Sequence, residues 1–96
     1  MSPINKKKLD LIRIKLDKLD TELLKLIKKR SGLVNEVLKV KIHKKEIIDQ
    51  KRIKFILKKI KKKSIQLNID PKISNRIWKN MIWSFIDYEK RNFKKK

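Results

Sequence analysis

A single apolar seam runs along the chain from Leu9 to Lys41 and limits the possible folds more than any other feature. Its residues recur at alternating steps of three and four, which is the spacing of the a and d positions of a helical heptad. The pattern predicts one helix from about Leu9 to about Ile42, roughly 50 Å long at about 1.5 Å per residue. The seam consists of Leu9, Ile12, Leu16, Leu19, Leu23, Leu26, Leu33, Val37 and Val40.

This predicted helix is too long for a compact monomer of 96 residues. A compact chain of that size has a radius of gyration of roughly 12 to 13 Å, so a straight helix of this length projects beyond its own domain. The projecting seam needs another chain to cover it. We therefore expect a homodimer, which also adds burial to a small domain.

Two shorter helices are predicted after a short charged connection from His43 to Ile48. Asp49 is placed to cap the second helix, and the third starts near Pro71 and continues to about Glu89. Between them, Asn68 favours a helix C′ position and Asp70 an N-cap. The predicted inward residues are Ile53, Ile56, Leu57, Ile60, Ser64 and Leu67 on the second helix, and Ile73, Ile77, Trp78, Met81, Ile82, Phe85 and Ile86 on the third.

The predicted fold class is therefore all-α, with three helices per chain, one of them very long. We expect a loose basic tail at residues 1–8, one helical domain at residues 9–93 and a frayed C-terminus at residues 94–96.

The composition favours an anionic partner. Lys and Arg number 30 against 10 Asp and Glu, a formal net charge of +20. Only five cations are arginines, and a retained arginine marks a site that needs a planar, bidentate donor.

The chain has no cysteine, which excludes disulfides, thiolate metal sites and thiol catalysis. No apolar run approaches the roughly 20 residues of a membrane span, so we expect no membrane partner and a cytoplasmic location.

Arg30 occupies an apolar position of the seam, where a charge needs a partner or a ligand. Lys41 follows eleven residues later, about three turns, so the two side chains point to nearly the same side. Their Cα atoms are roughly 16 Å apart, a spacing at which two long side chains can hold a small anion. The alternatives are a buried ion pair for Arg30 and a solvated surface position for Lys41.

Arg13 is seventeen residues from Arg30, about 25 Å along a straight helix, so one small ligand cannot contact both in one chain. In an antiparallel pair of first helices, the partner subunit's Arg13 approaches Arg30 and forms a shared site. Alone, Arg13 is expected to pair with Asp10 or Asp17.

Glu89 continues the apolar row of the third helix and is expected to point into the same space as Arg30. The alternative is an exposed, frayed helix end. Asp49 and Arg52 begin the second helix, where an N-cap and an ion pair three residues apart are the simpler interpretation.

This ordered set of residues resembles the all-helical chorismate mutase family, whose members form intertwined helical homodimers. The resemblance covers about Leu9 to Glu89, most of the chain. The matching elements are Arg13, Leu19-Asp20, the leucine-rich run Leu23 to Arg30, the LVNEV segment Leu33 to Val37, Lys41, the D-x-x-R of Asp49 to Arg52, and the final helix RIWKNMIWSFIDYE, which closes on Glu89.

The resemblance implies an isomerase of the shikimate pathway that converts chorismate, a dianion, to prephenate in aromatic amino acid biosynthesis, without a cofactor or metal. Arg30 and the partner subunit's Arg13 would hold the carboxylates, while Lys41 and Glu89 would face the ether oxygen. The rest of the implied substrate site consists of Asp49 and Arg52 at its mouth and Ile53, Phe85 and Ile86 as its walls.

Two departures from the family pattern matter. Ile53 stands where many of these mutases carry a Glu that binds the substrate hydroxyl. An apolar residue there, the short connection from Lys41 to Asp49 and the aromatic MIWSFIDYE segment are similar to features of the isochorismate pyruvate lyases, which form salicylate and pyruvate from isochorismate. Glu89 replaces the commoner Gln and donates to an ether oxygen only when protonated. We therefore expect an activity that falls as the pH rises.

A basic helical nucleic-acid-binding dimer is the alternative from another class. Such a protein does not need Arg30 in an apolar seam. The aromatic residues Trp78, Phe85 and Tyr88 share a face predicted to be buried, which does not form a stacking platform. We expect no specific nucleic-acid partner.

Overall fold

The computed structural model describes residues 2–95, and these residues are almost entirely helical. Helix α1 spans Pro3–Val40, a short 3₁₀ helix spans Lys44–Ile47, α2 spans Gln50–Gln66 and α3 spans Pro71–Asn92. No strand occurs in this part of the chain. The prediction of an all-α fold with three helices, one of them very long, is confirmed.

Helix α1 begins at Pro3, six residues before the predicted start at Leu9. Ser2 starts it: its hydroxyl accepts the N–H of Asn5 at 3.2 Å, and proline is well suited to a first helical position. Most of the predicted loose tail is therefore helical, and Met1 lies outside the described residues. The helix ends at Val40, close to the predicted end.

The apolar seam of α1 is largely exposed within the single chain. Leu9 is half-buried, and the other eight seam residues range from 47% exposed at Val37 to 75% at Val40. The chain divides into two compact units, and the boundary between Leu33 and Val34 falls inside α1. The first unit is thus a helix whose apolar seam is open to solvent.

The second unit begins at Val34, and local capping sets the ends of its helices. Asp49 caps α2 by accepting the N–H of Arg52 at 3.0 Å, and Asp70 caps α3 by accepting the N–H of Lys72 at 2.9 Å. Asn68, between the two helices, has a φ of 57°, the left-handed conformation that ends many helices. These predicted boundaries are confirmed.

The core of the second unit lies between α3, α2 and the 3₁₀ helix. Ile47, Ile82 and Ile86 are buried in it, and partly buried apolar residues pack around them. Those residues are Ile48, Ile53, Ile56, Leu57 and Phe93. The connection predicted to be merely charged therefore contributes a core residue, Ile47.

Three residues predicted to face inward are exposed: Leu67, Ile73 and Ile77. Leu67 lies beyond the last turn of α2, as its C-cap. The buried row of α3 passes through Ser74, Ile82, Ile86 and Glu89, so its mean direction lies roughly 145° around the helix from that of Ile73 and Ile77. Ser74 and Ser64 share a buried hydrogen bond of 2.6 Å. It joins the end of α2 to the start of α3, next to the turn that connects the two helices.

None of the described helices combines the length and apolar composition that a membrane span requires.

Candidate active site

A largely buried ion pair joins Lys41 to Glu89. The Nζ of Lys41 lies 3.1 Å from Oε1 of Glu89, and the two side chains are 17% and 7% exposed. Lys41 directly follows the last residue of α1, and Glu89 lies near the C-terminal end of α3. Two opposite charges so shielded from water interact more strongly than an exposed pair.

A second hydrogen bond connects the same two segments. The Tyr88 hydroxyl donates to Oδ1 of Asn35 at 2.8 Å. Tyr88 precedes Glu89 in α3, and Asn35 lies six residues before Lys41. The end of α1 is thus attached to α3 at two points, which limits how far the Lys41 ammonium can move relative to the Glu89 carboxylate.

We expect Tyr88→Phe to lower the free energy of unfolding by about 1 kcal/mol, because it removes this one hydrogen bond and keeps the ring. Urea unfolding measures the change. In an Asn35→Ala background the same substitution should cost almost nothing. An equal cost in both backgrounds would show that Tyr88 acts through other contacts.

The apolar residues proposed as pocket walls lie in the same unit. Ile86 is buried in the core, Ile53 packs against that core, and Phe85 is half-buried. Ile53 therefore presents an apolar side chain beside this core.

Asp49 and Arg52 are both exposed at the start of α2. The predicted N-cap at Asp49 is confirmed, whereas the guanidinium of Arg52 lies over the ring of Phe55, 5.1 Å from its centroid. An open depression reaches from Asp49 to Lys41. It is lined by Lys41, Glu46, Ile48, Asp49, Gln50 and Lys51.

Arg13 and Arg30 lie on α1 in the first unit. Arg13 is exposed and Arg30 is half-buried. Because the helix between them is continuous, their Cα atoms are about 25 Å apart, as the sequence predicted. The other seven predicted site residues belong to the second unit, where Lys41 and Glu89 are in direct contact.

Sequence reasoning did not identify three residues that shape this region. Asn35 and Tyr88 form the second attachment, and Glu46 accepts the N–H of His43 at 2.9 Å while lining the depression beside Lys41. Two local signals were available. Tyr88 is the residue next to Glu89, and Glu46 follows His43 by three residues, a spacing typical of a helix N-cap.

Among residues 2–95, no group of His, Cys, Asp or Glu side chains is arranged to hold a metal ion.

The family model described as chorismate mutase type II matches residues 12–90. Because this match spans most of the chain, the protein belongs to the chorismate mutase type II family, and the resemblance found in the sequence is confirmed. No curated protein and no solved structure matches the chain.

Proposed function

We propose that the protein is a chorismate mutase, an isomerase that converts chorismate to prephenate in aromatic amino acid biosynthesis. The observation that carries this proposal is the shielded contact between Lys41 and Glu89, the two residues that the sequence resemblance implies would face the ether oxygen. Its geometry suits a reaction that needs a fixed positive charge and no nucleophile.

The rearrangement breaks the ether carbon–oxygen bond while a new carbon–carbon bond forms in the same step. Negative charge develops on the ether oxygen in the transition state. An ammonium already held in place stabilises that charge more than it stabilises the substrate, which lowers the barrier. Lys41 has three N–H donors, so it can keep its bond to Glu89 and still donate to the ether oxygen.

The pocket in this proposal is shared by two chains of an intertwined homodimer. The exposed seam of α1 supports this arrangement, because two antiparallel copies would cover both seams. Arg30 and the partner subunit's Arg13 then each bind one carboxylate of the substrate through a bidentate pair of hydrogen bonds. Asp49 and Arg52 lie at the mouth, and Ile53, Phe85 and Ile86 form the walls.

The direct test is to incubate the purified protein separately with chorismate and with isochorismate. We expect chorismate to be consumed and prephenate to form, and Arg30→Ala to abolish this turnover. Turnover of neither substrate would contradict the proposal.

An isochorismate pyruvate lyase is the second candidate, and one observation favours it. Ile53 packs against the hydrophobic core and provides no group to bind the hydroxyl of chorismate. Salicylate and pyruvate formed from isochorismate, without conversion of chorismate, would support the lyase over the mutase.

A further inference from the structure

Acidic residues are nearly absent from the segment between Gln50 and Ile86. It contains eleven lysines and arginines but only one carboxylate, Asp70, which is occupied in capping α3. The other nine acidic residues of the chain lie outside this segment. A general enrichment in lysine does not explain such a gap, because it would leave the carboxylates spread along the chain.

Helix α2 carries most of this charge on its outer surface. Its apolar side packs into the core of the second unit, and no acidic residue occurs among its 17 residues. The side turned away from the core is exposed along the whole helix, about 25 Å. It carries Lys51, Phe55, Lys58, Lys59 and Lys62.

Phe55 lies in the middle of this lysine-rich surface and is 53% exposed. The guanidinium of Arg52 lies 5.1 Å from the centroid of its ring, and the ammonium of Lys59 lies 5.8 Å away. An exposed aromatic ring between cations offers a base both a stacking surface and neighbouring charges for its phosphates.

The positive surface continues from α2 onto α3 through two shallow depressions. Lys58 and Lys61 line the first together with Lys72, and Arg76 and Lys79 line the second. Both depressions include Lys72 and Asn75, so they are contiguous. We call this combined surface of α2 and α3 the basic face.

We propose that the basic face binds single-stranded nucleic acid without sequence preference. Its length and regular charge suit a chain of phosphates, and Phe55 provides a place for one base to stack. A membrane surface fits less well, because an amphipathic helix binds lipid through its apolar side, and in α2 that side is already packed in the core. The proposal does not depend on the enzymatic activity proposed for Lys41 and Glu89.

The test is fluorescence anisotropy with a labelled single-stranded oligothymidylate, for the wild type and two matched triple variants. Replacing Lys58, Lys59 and Lys62 by Gln should weaken binding at low salt by about tenfold or more, and should reduce the slope of log K against log salt by about 2. Replacing Lys6, Lys7 and Lys8 by Gln removes the same charge from α1 and should change the affinity by less than about twofold. Equal losses in the two variants would overturn the proposal.

Two further variants separate the contributions of charge and stacking. The triple variant Lys58→Arg, Lys59→Arg, Lys62→Arg keeps the charge and should retain the wild-type affinity, which also controls for misfolding of the Gln variant. Phe55→Leu should weaken binding by about fivefold or more, because it removes the ring. An unchanged affinity in Phe55→Leu, or tighter binding to a duplex or to anionic phospholipid vesicles than to the single strand, would overturn the proposal.

Discussion

Mixing Arg13→Ala chains with Arg30→Ala chains is expected to restore a chorismate turnover that neither variant has alone. Each homodimer should lose about a hundredfold or more in turnover, because a substrate carboxylate loses its charged partner. In a mixed dimer, one pocket combines Arg30 of the first chain with Arg13 of the second and is complete. The other pocket lacks both arginines.

The expected recovery is quantitative. Random exchange makes half of the dimers mixed, each with one complete pocket of two, so the mixture should reach about a quarter of the wild-type turnover. Arg13→Ala mixed with the Arg13→Ala/Arg30→Ala double variant forms no complete pocket and serves as the control. If both arginines of a pocket came from one chain, mixing would restore nothing. A monomeric protein in solution would contradict the shared pocket as well.

Lys41→Met is expected to reduce both stability and turnover. It leaves the carboxylate of Glu89, whose side chain is 7% exposed, without the ammonium that compensates its burial. Breaking a buried pair in this way costs about 3 kcal/mol or more, and loss of the donor to the ether oxygen should lower kcat by roughly 10² to 10³. Urea unfolding at a fixed protein concentration and steady-state kinetics measure the two effects.

The double variant Lys41→Met/Glu89→Gln separates the two effects. Without a buried charge, it should recover most of the lost stability, but it should remain inactive because no ammonium is present. Lys39→Met removes an exposed lysine two residues away and should change stability by less than about 0.5 kcal/mol. Wild-type turnover in the double variant would contradict the role of Lys41, and equal stabilities of Lys41→Met and Lys39→Met would show that the ion pair contributes nothing.

The basic face and the Lys41–Glu89 pair place positive charge in two different environments in one small chain. The side chain of Lys41 is 17% exposed and is paired with the carboxylate of Glu89. The lysines of α2 are exposed to solvent, and their helix contains no acidic residue. A shielded ammonium acts on one atom at short range. An exposed row acts on an extended polyanion, and its effect decreases with salt.

Most of the fold could be predicted from the sequence, because residues close together in the chain decide which segments form helices and where those helices end. The three-and-four spacing of the seam indicated α1, and Asp49, Asn68, Asp70 and Pro71 indicated the ends of α2 and α3 through local hydrogen bonds and dihedral preferences. The early start of α1 was also a local signal, Ser2 followed by Pro3, which the prediction overlooked.

The candidate site was predicted less completely. Helical spacing indicated Lys41 and Glu89 as candidates, and the resemblance to a family implied their roles. Their direct contact links residues 48 apart in the chain. The bond between Asn35 and Tyr88 links residues 53 apart, and no local pattern indicated it. Contacts at such separations depend on how helices pack, which periodicity does not specify.

The sequence by itself determined that this protein is helical, where its helices end, that α1 carries a long apolar seam interrupted by Arg30, and that its family is that of the chorismate mutases. Only the tertiary structure decided that Ile47 is in the core, that Ile73 and Ile77 are outside it, and that Lys41 is paired with Glu89. The reason is physical: caps and periodicity act within about one turn, whereas burial and ion pairing depend on the rotation and separation of whole helices.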